Sequence, residues 1–282
     1  MGVDAKPDSK RRSIYDLLRR PADYPARRSA PERTIVVCTQ QRSGSTLLGE
    51  AMYFAGGFGC PLEYFHDGFR PRFTQRWHAE GIGNYIAAVH RFRTDPSGTF
   101  GVKIFWQDVE ALVQEIAPGR EAYWPPLNAA QGADISYRRA FEAIEACIPK
   151  PIFIVLRRRD QVRQAVSLAV AGQTRRWRQL NSPASRPEIA YDFDAIVQHL
   201  AYLQNNDSHW RNFFRANSLS PHEVAYEDLE ADYHGTLMRL FAALDRADAP
   251  VVPPRLQKQA NSRSEELLQQ FLTEFGEHVR RG

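Results

Sequence analysis

Hydrophobic positions along the chain follow two alternating periods. Short apolar runs rich in β-branched residues, typical of buried strands, alternate with segments whose apolar residues recur every three or four positions, as on one face of a helix. The strand-like runs are residues 34–38, 99–106, 151–156 and 222–226, and the helix-like segments are residues 47–55, 77–93, 107–118, 137–148, 162–170, 191–217, 229–244 and a final helix opening within 259–266. This alternation predicts an α/β fold of three layers around a central, mainly parallel sheet.

The first strand-like run passes through a short polar loop directly into a helix. The loop and the first helical residues are Gln41, Arg42, Ser43, Gly44, Ser45 and Thr46. At a helix N-terminus, unpaired backbone N–H groups and the positive end of the helix dipole favour an anion, and here hydroxyl groups and the Arg42 charge are added. The pattern indicates a site for a phosphate-like oxyanion, although a Ser/Gly turn can also be a plain connector.

This loop differs from the P-loop of ordinary nucleotide hydrolases. The pattern G-x-x-x-x-G-K-[ST] needs a first glycine and a lysine, whereas this loop has glutamines before Arg42, no lysine, and only Gly44. The difference argues against an ATPase or GTPase. We therefore expect a P-loop-like fold with a different anionic ligand.

A second cationic cluster follows the most apolar of the strand-like runs. Residues 157–159 are three consecutive arginines, and Ser167 lies eight positions after Arg159 on the helix that follows. In open α/β sheets, ligands bind at the carboxyl ends of the strands. The cluster is a second candidate oxyanion site. Further arginines near the same edge are Arg175, Arg176 and Arg178, and solvation is the simpler explanation for most of those three.

Two further residues are candidates for chemistry. Lys103 lies inside an apolar strand, which is costly unless its ammonium meets an anion or reaches water at the strand end, and both alternatives remain open. Glu63 lies in a loop rich in glycine and aromatic residues, residues 56–66, that follows the first helix and has the character of a site wall.

Composition narrows the class of protein. The chain has 282 residues, 43% of them hydrophobic, which suffices for one large domain, and no apolar run approaches the ~20 residues that span a bilayer. We expect no integral membrane segment, no signal peptide and a cytoplasmic protein. The three cysteines are widely spaced and form no ligand pattern, so neither a disulfide framework nor a metal site is expected.

The net charge of +4 comes from one end of the chain. Residues 1–33 contain nine Lys and Arg against five Asp and Glu, while residues 34–282 contain 28 of each sign. Because residues 1–33 are basic and contain several prolines, we predict that they form a flexible extension before a domain of residues 34–282. A nucleic-acid or membrane-binding arm is the alternative, but a solvated tail explains the charge better, and we expect no nucleic-acid partner.

Two oxyanion sites suit a ligand with phosphates at both ends of a nucleoside. The loop of residues 41–46 resembles the 5′-phosphosulfate loop of sulfotransferases, and the Arg159 and Ser167 pair resembles the residues that hold the 3′-phosphate of 3′-phosphoadenosine 5′-phosphosulfate (PAPS) in them. The sequence is most similar to the bacterial trehalose 2-sulfotransferase family. The resembling segments are residues 40–48, 61–65, 101–106, 164–167, 173–175, 177–178, 259–260 and 263–264.

The resemblance implies transfer of a sulfuryl group from PAPS to a carbohydrate hydroxyl without a metal, by a homodimer. It implies that Glu63, in the family's Pro-x-Glu-aromatic-aromatic motif, is the general base, with Arg42 and Lys103 as the other catalytic residues. It also adds Arg263, in a polar segment that opens the final helix, to the donor-binding residues. Residues 66–95 and 118–137 depart from the family pattern, which leaves the acceptor open.

Alternatives remain for the catalytic base and for the function of the protein. His66 is the second candidate for the base, since other sulfotransferases resemble one another in using a histidine, and Glu63 could instead be a solvated loop residue. A nucleotide-dependent phosphoryl transferase and a catalytically silent binding module are the rival functions. The first of these predicts binding of ATP with magnesium.

Overall fold

The computed structural model describes residues 17–116, 133–175, 177, 188–256 and 262–281. The strands are β1 (Arg33–Thr39), β2 (Thr99–Phe105), β3 (Pro151–Arg157) and β4 (His222–Ala225). The helices are α1 (Ser45–Ala55), α2 (Arg70–Trp77), α3 (Ile82–Arg93), α4 (Trp106–Ile116), α5 (Ala133–Cys147), α6 (Gln161–Thr174), α7 (Phe193–Ala216), α8 (Tyr226–Ala231), α9 (Tyr233–Ala243) and α10 (Ser262–Arg281).

The strands form one parallel sheet within the described residues, in the order β2-β1-β3-β4. The mainly parallel sheet expected from the sequence is thus confirmed. β1 and β2 are neighbours, and in their parallel register Val37 pairs with Lys103 and Thr39 pairs with Phe105. The loop after β1 and the start of α4 after β2 therefore leave the sheet at the same edge, side by side.

Both faces of the sheet are covered. Val36 and Cys38 of β1 pack into a core formed with α3, α4, α5 and α7, whereas Ile35 and Val37 pack into a second core with α1 and α9. Because side chains alternate between the faces of a strand, one apolar run supplies both cores. The result is the predicted three-layer arrangement, with α6 and α10 meeting in a third apolar cluster beside it.

Two helix predictions were wrong in their bounds. The segment predicted as one helix over 77–93 is instead the end of α2 and the whole of α3, separated by His78 and Gly81 with φ angles of +50° and +75°. The segment predicted as a helix over 229–244 is divided at Asp232, which ends α8 and caps α9 by accepting the Gly235 N–H. No helix in the described parts of the chain has the length and apolar character needed to cross a membrane.

Residues 17–33 differ from the flexible segment expected from composition. Leu17 and Leu18 are buried in the main core, and the Tyr24 hydroxyl donates to the Gly59 carbonyl. Asp23 forms an ion pair with the fully buried Arg93. This part of the basic segment is therefore packed against the domain, while residues 1–16 lie outside the described residues.

Candidate active site

The loop between β1 and α1 leads into a helix whose N-terminus has no side-chain cap. Gly44 is the N-cap of α1 with φ +84°. Ser45 and Thr46 form its first turn. A Cβ at Gly44 would lie 2.5 Å from Cδ2 of Tyr226, so both the backbone angle and the space require glycine. An uncapped N-terminus of this kind is suited to an oxyanion.

The hydroxyl of Ser43 has a different task from the one expected. It is fully buried, donates to the Gln40 carbonyl at 2.7 Å and lies 2.6 Å from the Thr39 hydroxyl. The Thr39 hydroxyl in turn donates to the Leu156 carbonyl of β3. Ser43 therefore fixes the shape of the loop, and the group that it can offer to a ligand is its backbone N–H.

Arg42 joins the loop to α6. It has φ +62°, a conformation that non-glycine residues rarely adopt and that often marks functional sites. Its Nε donates to the Ser167 hydroxyl at 2.9 Å and its guanidinium donates to the Trp177 carbonyl at 2.6 Å. From the same helix, the Gln164 amide donates to the Gln41 carbonyl at 2.7 Å. Two residues that the sequence assigned to separate phosphate sites, Arg42 and Ser167, thus touch.

Arg158 is a residue of this site that the sequence analysis did not single out. Its guanidinium donates to the Arg42 carbonyl at 3.3 Å and lies 4.8 Å from the centre of the Tyr226 ring. Burial lowers the pKa of this guanidinium. The sequence shows three consecutive arginines at the end of β3. Which of these arginines faces the loop after β1 depends on the twist and register of the strand and cannot be recognised from the sequence.

Arg159 and Arg263 make their described contacts elsewhere. Arg159 is largely exposed and forms two hydrogen bonds of 2.7 Å with the carboxylate of Asp228. Arg263 contacts Glu266 and the Ile189 carbonyl. Neither contact brings these residues to the loop after β1, so the structure does not join them to Arg42 and Ser167.

Glu63 and Lys103 form a buried ion pair at the edge of the sheet. Lys103 Nζ lies 2.9 Å from Glu63 Oε1, and the two side chains are 0% and 9% exposed. The Lys103 backbone N–H donates to the Leu62 carbonyl at 2.9 Å, which fixes the glutamate loop against β2. The ammonium therefore meets an anion and does not reach water at the strand end, and Glu63 is not a solvated loop residue.

His66, the second candidate for the base, is held by its own loop. Its Nδ1 accepts the Gly68 N–H at 2.9 Å. In the neutral ring this places the hydrogen on Nε2, because a nitrogen that accepts cannot carry it. The lone pair that a base needs is thus already engaged, whereas the Glu63 carboxylate has four lone-pair positions.

Polar side chains connect the loop after β1 to the start of α4. The Tyr202 hydroxyl of α7 lies 3.2 Å from Gln41 Oε1 and 2.5 Å from Gln107 Oε1. Next to Gln107, Asp108 is 5% exposed and accepts the Phe105 N–H at 3.0 Å. Burial raises the pKa of Asp108 to about 7, opposed by that hydrogen bond and supported by the negative charge of Glu63.

The described residues contain no group of three or more His, Cys, Asp or Glu side chains that could hold a metal ion. Cations at the site are supplied by side chains, Arg42 and Arg158 at the loop and Lys103 at the glutamate. The arrangement places an uncapped helix N-terminus and a buried carboxylate at the same edge of the sheet. Such a site can stabilise a leaving anion and remove a proton from an incoming nucleophile.

Comparison with known proteins shows similarity along most of the chain. The chain is similar to trehalose 2-sulfotransferase of Mycobacterium tuberculosis, with 28% identity over 268 residues, 86% of this chain and 95% of the relative. It matches trehalose 2-sulfotransferase of Mycolicibacterium smegmatis with 28% identity, over 84% of this chain and 93% of the relative. Sulfotransferase STF9 of Mycobacterium avium aligns over 87% of this chain and 69% of its own, at 14% identity and a TM-score of 0.39, too low to support conclusions.

The model of one protein family matches the part of the chain that contains the whole candidate site. It matches residues 34–274, which include the loop after β1, the Glu63 and Lys103 pair and the arginines after β3. The resemblance drawn from the sequence is thereby confirmed, and the chain belongs to the Stf0 sulphotransferase family.

Proposed function

We propose that this sulfotransferase moves the sulfuryl group of PAPS to a hydroxyl of a carbohydrate, trehalose or a related glycan or glycolipid. The observation that carries the proposal is the position of the buried Glu63 and Lys103 pair at the same sheet edge as the uncapped N-terminus of α1. The names of the two mycobacterial relatives support a sugar acceptor. A polar acceptor also agrees with the amide and carboxyl groups of Gln107 and Asp108 beside the site.

The residues after β1 fit the phosphosulfate end of the donor. Gly44 lets the loop pass close to the Tyr226 ring, and no side chain caps the helix that begins after it. When bound, PAPS supplies the sulfuryl group and a phosphate leaving group. As negative charge develops on the leaving oxygen, the backbone N–H groups of the helix N-terminus and the Arg42 guanidinium stabilise it. Ser167 holds Arg42 in place through its Nε.

Glu63 has the role of general base in this proposal. The acceptor oxygen forms the new O–S bond, the bond from sulfur to the phosphate oxygen breaks, and the proton of the hydroxyl moves to the Glu63 carboxylate. Lys103 holds that carboxylate in its ionised form until the proton arrives. The products are a sulfate ester and adenosine 3′,5′-bisphosphate.

Five expectations from the sequence stay predictions. Arg159, Ser167 and Arg263 are proposed to hold the 3′-phosphate end, which requires Arg159 to exchange Asp228 for a phosphate. The homodimer and the cytoplasmic location are likewise predictions, as is the absence of a metal from the reaction. The division into residues 1–33 and 34–282 is also a prediction, with the packed residues 17–33 as an added constraint.

The substitution Glu63→Gln tests the assignment of the base. Glutamine keeps the shape and hydrogen-bonding reach but cannot accept the proton, so turnover with PAPS and trehalose should fall by roughly 10²-fold or more. Affinity for adenosine 3′,5′-bisphosphate should barely change. Glu50→Gln is the matched control, because Glu50 is also buried and paired, to Arg255 at 3.0 Å, but lies in the middle of α1.

Calorimetric titration tests the donor independently of the base. We expect adenosine 3′,5′-bisphosphate to bind without magnesium and more tightly than ATP with magnesium. The opposite order would favour phosphoryl transfer. If Glu63→Gln kept most activity while His66→Ala abolished it, the role of base would pass to His66.

A further inference from the structure

Gln107, the second residue of α4, has an exposed side chain whose amide is oriented by another helix. The Tyr202 hydroxyl of α7 donates to Gln107 Oε1 at 2.5 Å. A glutamine amide has an oxygen that accepts and an NH2 group that donates. Because Tyr202 engages the oxygen, the NH2 group is what Gln107 can present to a ligand. An exposed position thus carries a hydrogen-bond donor with a defined direction.

The strand order places Gln107 between the two halves of the proposed reaction. β2 has β1 as its neighbour on one side, where Val102 pairs with Val36. On its other side Val102 forms a parallel bridge with Leu62, which directly precedes Glu63. Neighbouring strands are about 4.8 Å apart, so roughly 10 Å separates the glutamate segment from β1. The end of β2, where α4 begins, lies in the middle of this span.

An acceptor has to occupy this middle position in the proposed reaction. Its hydroxyl must reach Glu63 on one side of β2 and the sulfuryl group at the loop after β1 on the other side. Of the first three residues of α4, Trp106 and Asp108 are buried and Gln107 is exposed. Gln107 is therefore the side chain of this turn that an acceptor over the end of β2 meets.

We propose that Gln107 binds the acceptor sugar, its NH2 group donating to a hydroxyl other than the one that is sulfated, and that Tyr202 is the positioning residue that orients this amide. The Tyr202 hydroxyl also lies 3.2 Å from Gln41 Oε1, in the loop after β1. The acceptor contact is thereby held at a fixed place relative to that loop. The inference rests on the proposed function and deepens it by assigning side chains to recognition of the sugar.

The substitution Gln107→Ala tests the contact at an exposed position, where it should leave the fold intact. Loss of one hydrogen bond between neutral groups should raise the KM for trehalose about three- to ten-fold. The value of kcat should hardly change, because the bond is made in the ground state and in the transition state alike. The KM for PAPS should stay that of the wild type. Gln114→Ala is the matched control, since Gln114 is an exposed glutamine two turns further along α4.

Tyr202→Phe tests the positioning role, with the KM for trehalose measured at saturating PAPS. The variant should raise this KM in the wild-type background but hardly in Gln107→Ala, because Tyr202 acts through the amide that is then missing. Tyr191→Phe is the control, since it removes a tyrosine hydroxyl that is bonded to Glu274 on α10 at 2.7 Å. Equal effects of Tyr202→Phe in both backgrounds would refute the positioning role. A Gln107→Ala enzyme that raises the KM for PAPS and not that for trehalose would refute the sugar contact.

A binding measurement separates this inference from the proposed function. Trehalose is titrated by calorimetry into protein saturated with adenosine 3′,5′-bisphosphate, and Gln107→Ala should bind it about three- to ten-fold more weakly than the wild type. That difference, in a protein that sulfates no sugar, would overturn the proposed function and support the contact. Equal binding by both proteins, with a wild type that sulfates trehalose, would overturn the contact alone. A wild type that neither binds nor sulfates the sugar would overturn both.

Discussion

The ion pair between Asp23 and Arg93 offers a direct test of how the N-terminal segment is held. The Arg93 side chain is 0% exposed, and its guanidinium lies 2.9 Å from Asp23 Oδ1. The same guanidinium donates to the Leu17 carbonyl at 2.5 Å, and Trp77 donates to the other oxygen of Asp23 at 3.1 Å. Asp23 therefore connects the N-terminal segment to the buried guanidinium of Arg93 and to the C-terminal end of α2.

Asp23→Ala removes the carboxylate and leaves the guanidinium buried. Breaking a buried pair by removing one partner costs roughly 3 to 5 kcal/mol, because the remaining charge has lost its partner but not its burial. With a urea m-value of about 3 kcal/mol per molar, this lowers the unfolding midpoint by about 1 to 1.7 M. Circular dichroism during urea unfolding measures the shift, and m should stay constant if the transition remains two-state.

Asp248→Ala is the control for the loss of an ion pair at the surface. Asp248 pairs with Arg246 at 3.2 Å, but its side chain is 76% exposed, so its removal should hardly move the midpoint. An Asp23→Ala midpoint that coincides with that of this control would refute the reasoning. Truncation extends the test: removing residues 1–16 should leave the midpoint and donor binding unchanged, while removing residues 1–24 should lower the midpoint as Asp23→Ala does.

Two further predictions concern charge at the site. Burial raises the pKa of Asp108 from 3.8 to about 7, so the folded state binds the proton more tightly than the unfolded state does. The free energy of unfolding therefore falls as the pH rises from about 4 to about 7. The total decrease is on the order of 4 kcal/mol. Asp108→Asn lacks this loss, so its unfolding free energy relative to the wild type should rise between pH 4 and pH 8, and an equal difference at both values would contradict the assignment. Arg159→Ala should weaken adenosine 3′,5′-bisphosphate about ten-fold in calorimetry while hardly affecting adenosine 5′-phosphate, and equal losses for both ligands would exclude a specific 3′-phosphate contact.

The sheet could be predicted from the sequence because its strands carry their own signal. The runs 34–38 and 151–156 are almost entirely apolar, and strands β1 and β3 contain them. Helix α2 could not be predicted in the same way. Of its residues only Phe73 is buried, so the segment has no apolar period, and Trp77 was assigned to the helix that follows. A helix held by one buried side chain and by polar contacts leaves little trace in hydrophobic periodicity.

The candidate site was predicted in part for a similar reason. A lysine inside an apolar strand has to meet an anion or reach water, so Lys103 could be recognised from its surroundings in the sequence, but its partner Glu63 lies forty positions away. Contacts such as those of Arg158 with Tyr226 depend on which strand ends lie together. Asp108 escaped notice because an acidic residue in the first turn of a helix is ordinary, and only its burial sets it apart.

The charged groups divide into two sets with different consequences for binding. The side chains of Lys103 and Arg93 are fully buried, so loss of their carboxylate partners would leave each charge unbalanced in the protein interior. Arg159, by contrast, pairs with Asp228 where both side chains are open to solvent. An exposed pair contributes little and can be exchanged for a phosphate at small cost. The proposed role of Arg159 in binding the 3′-phosphate agrees with this position, because that role requires the guanidinium to exchange Asp228 for a phosphate.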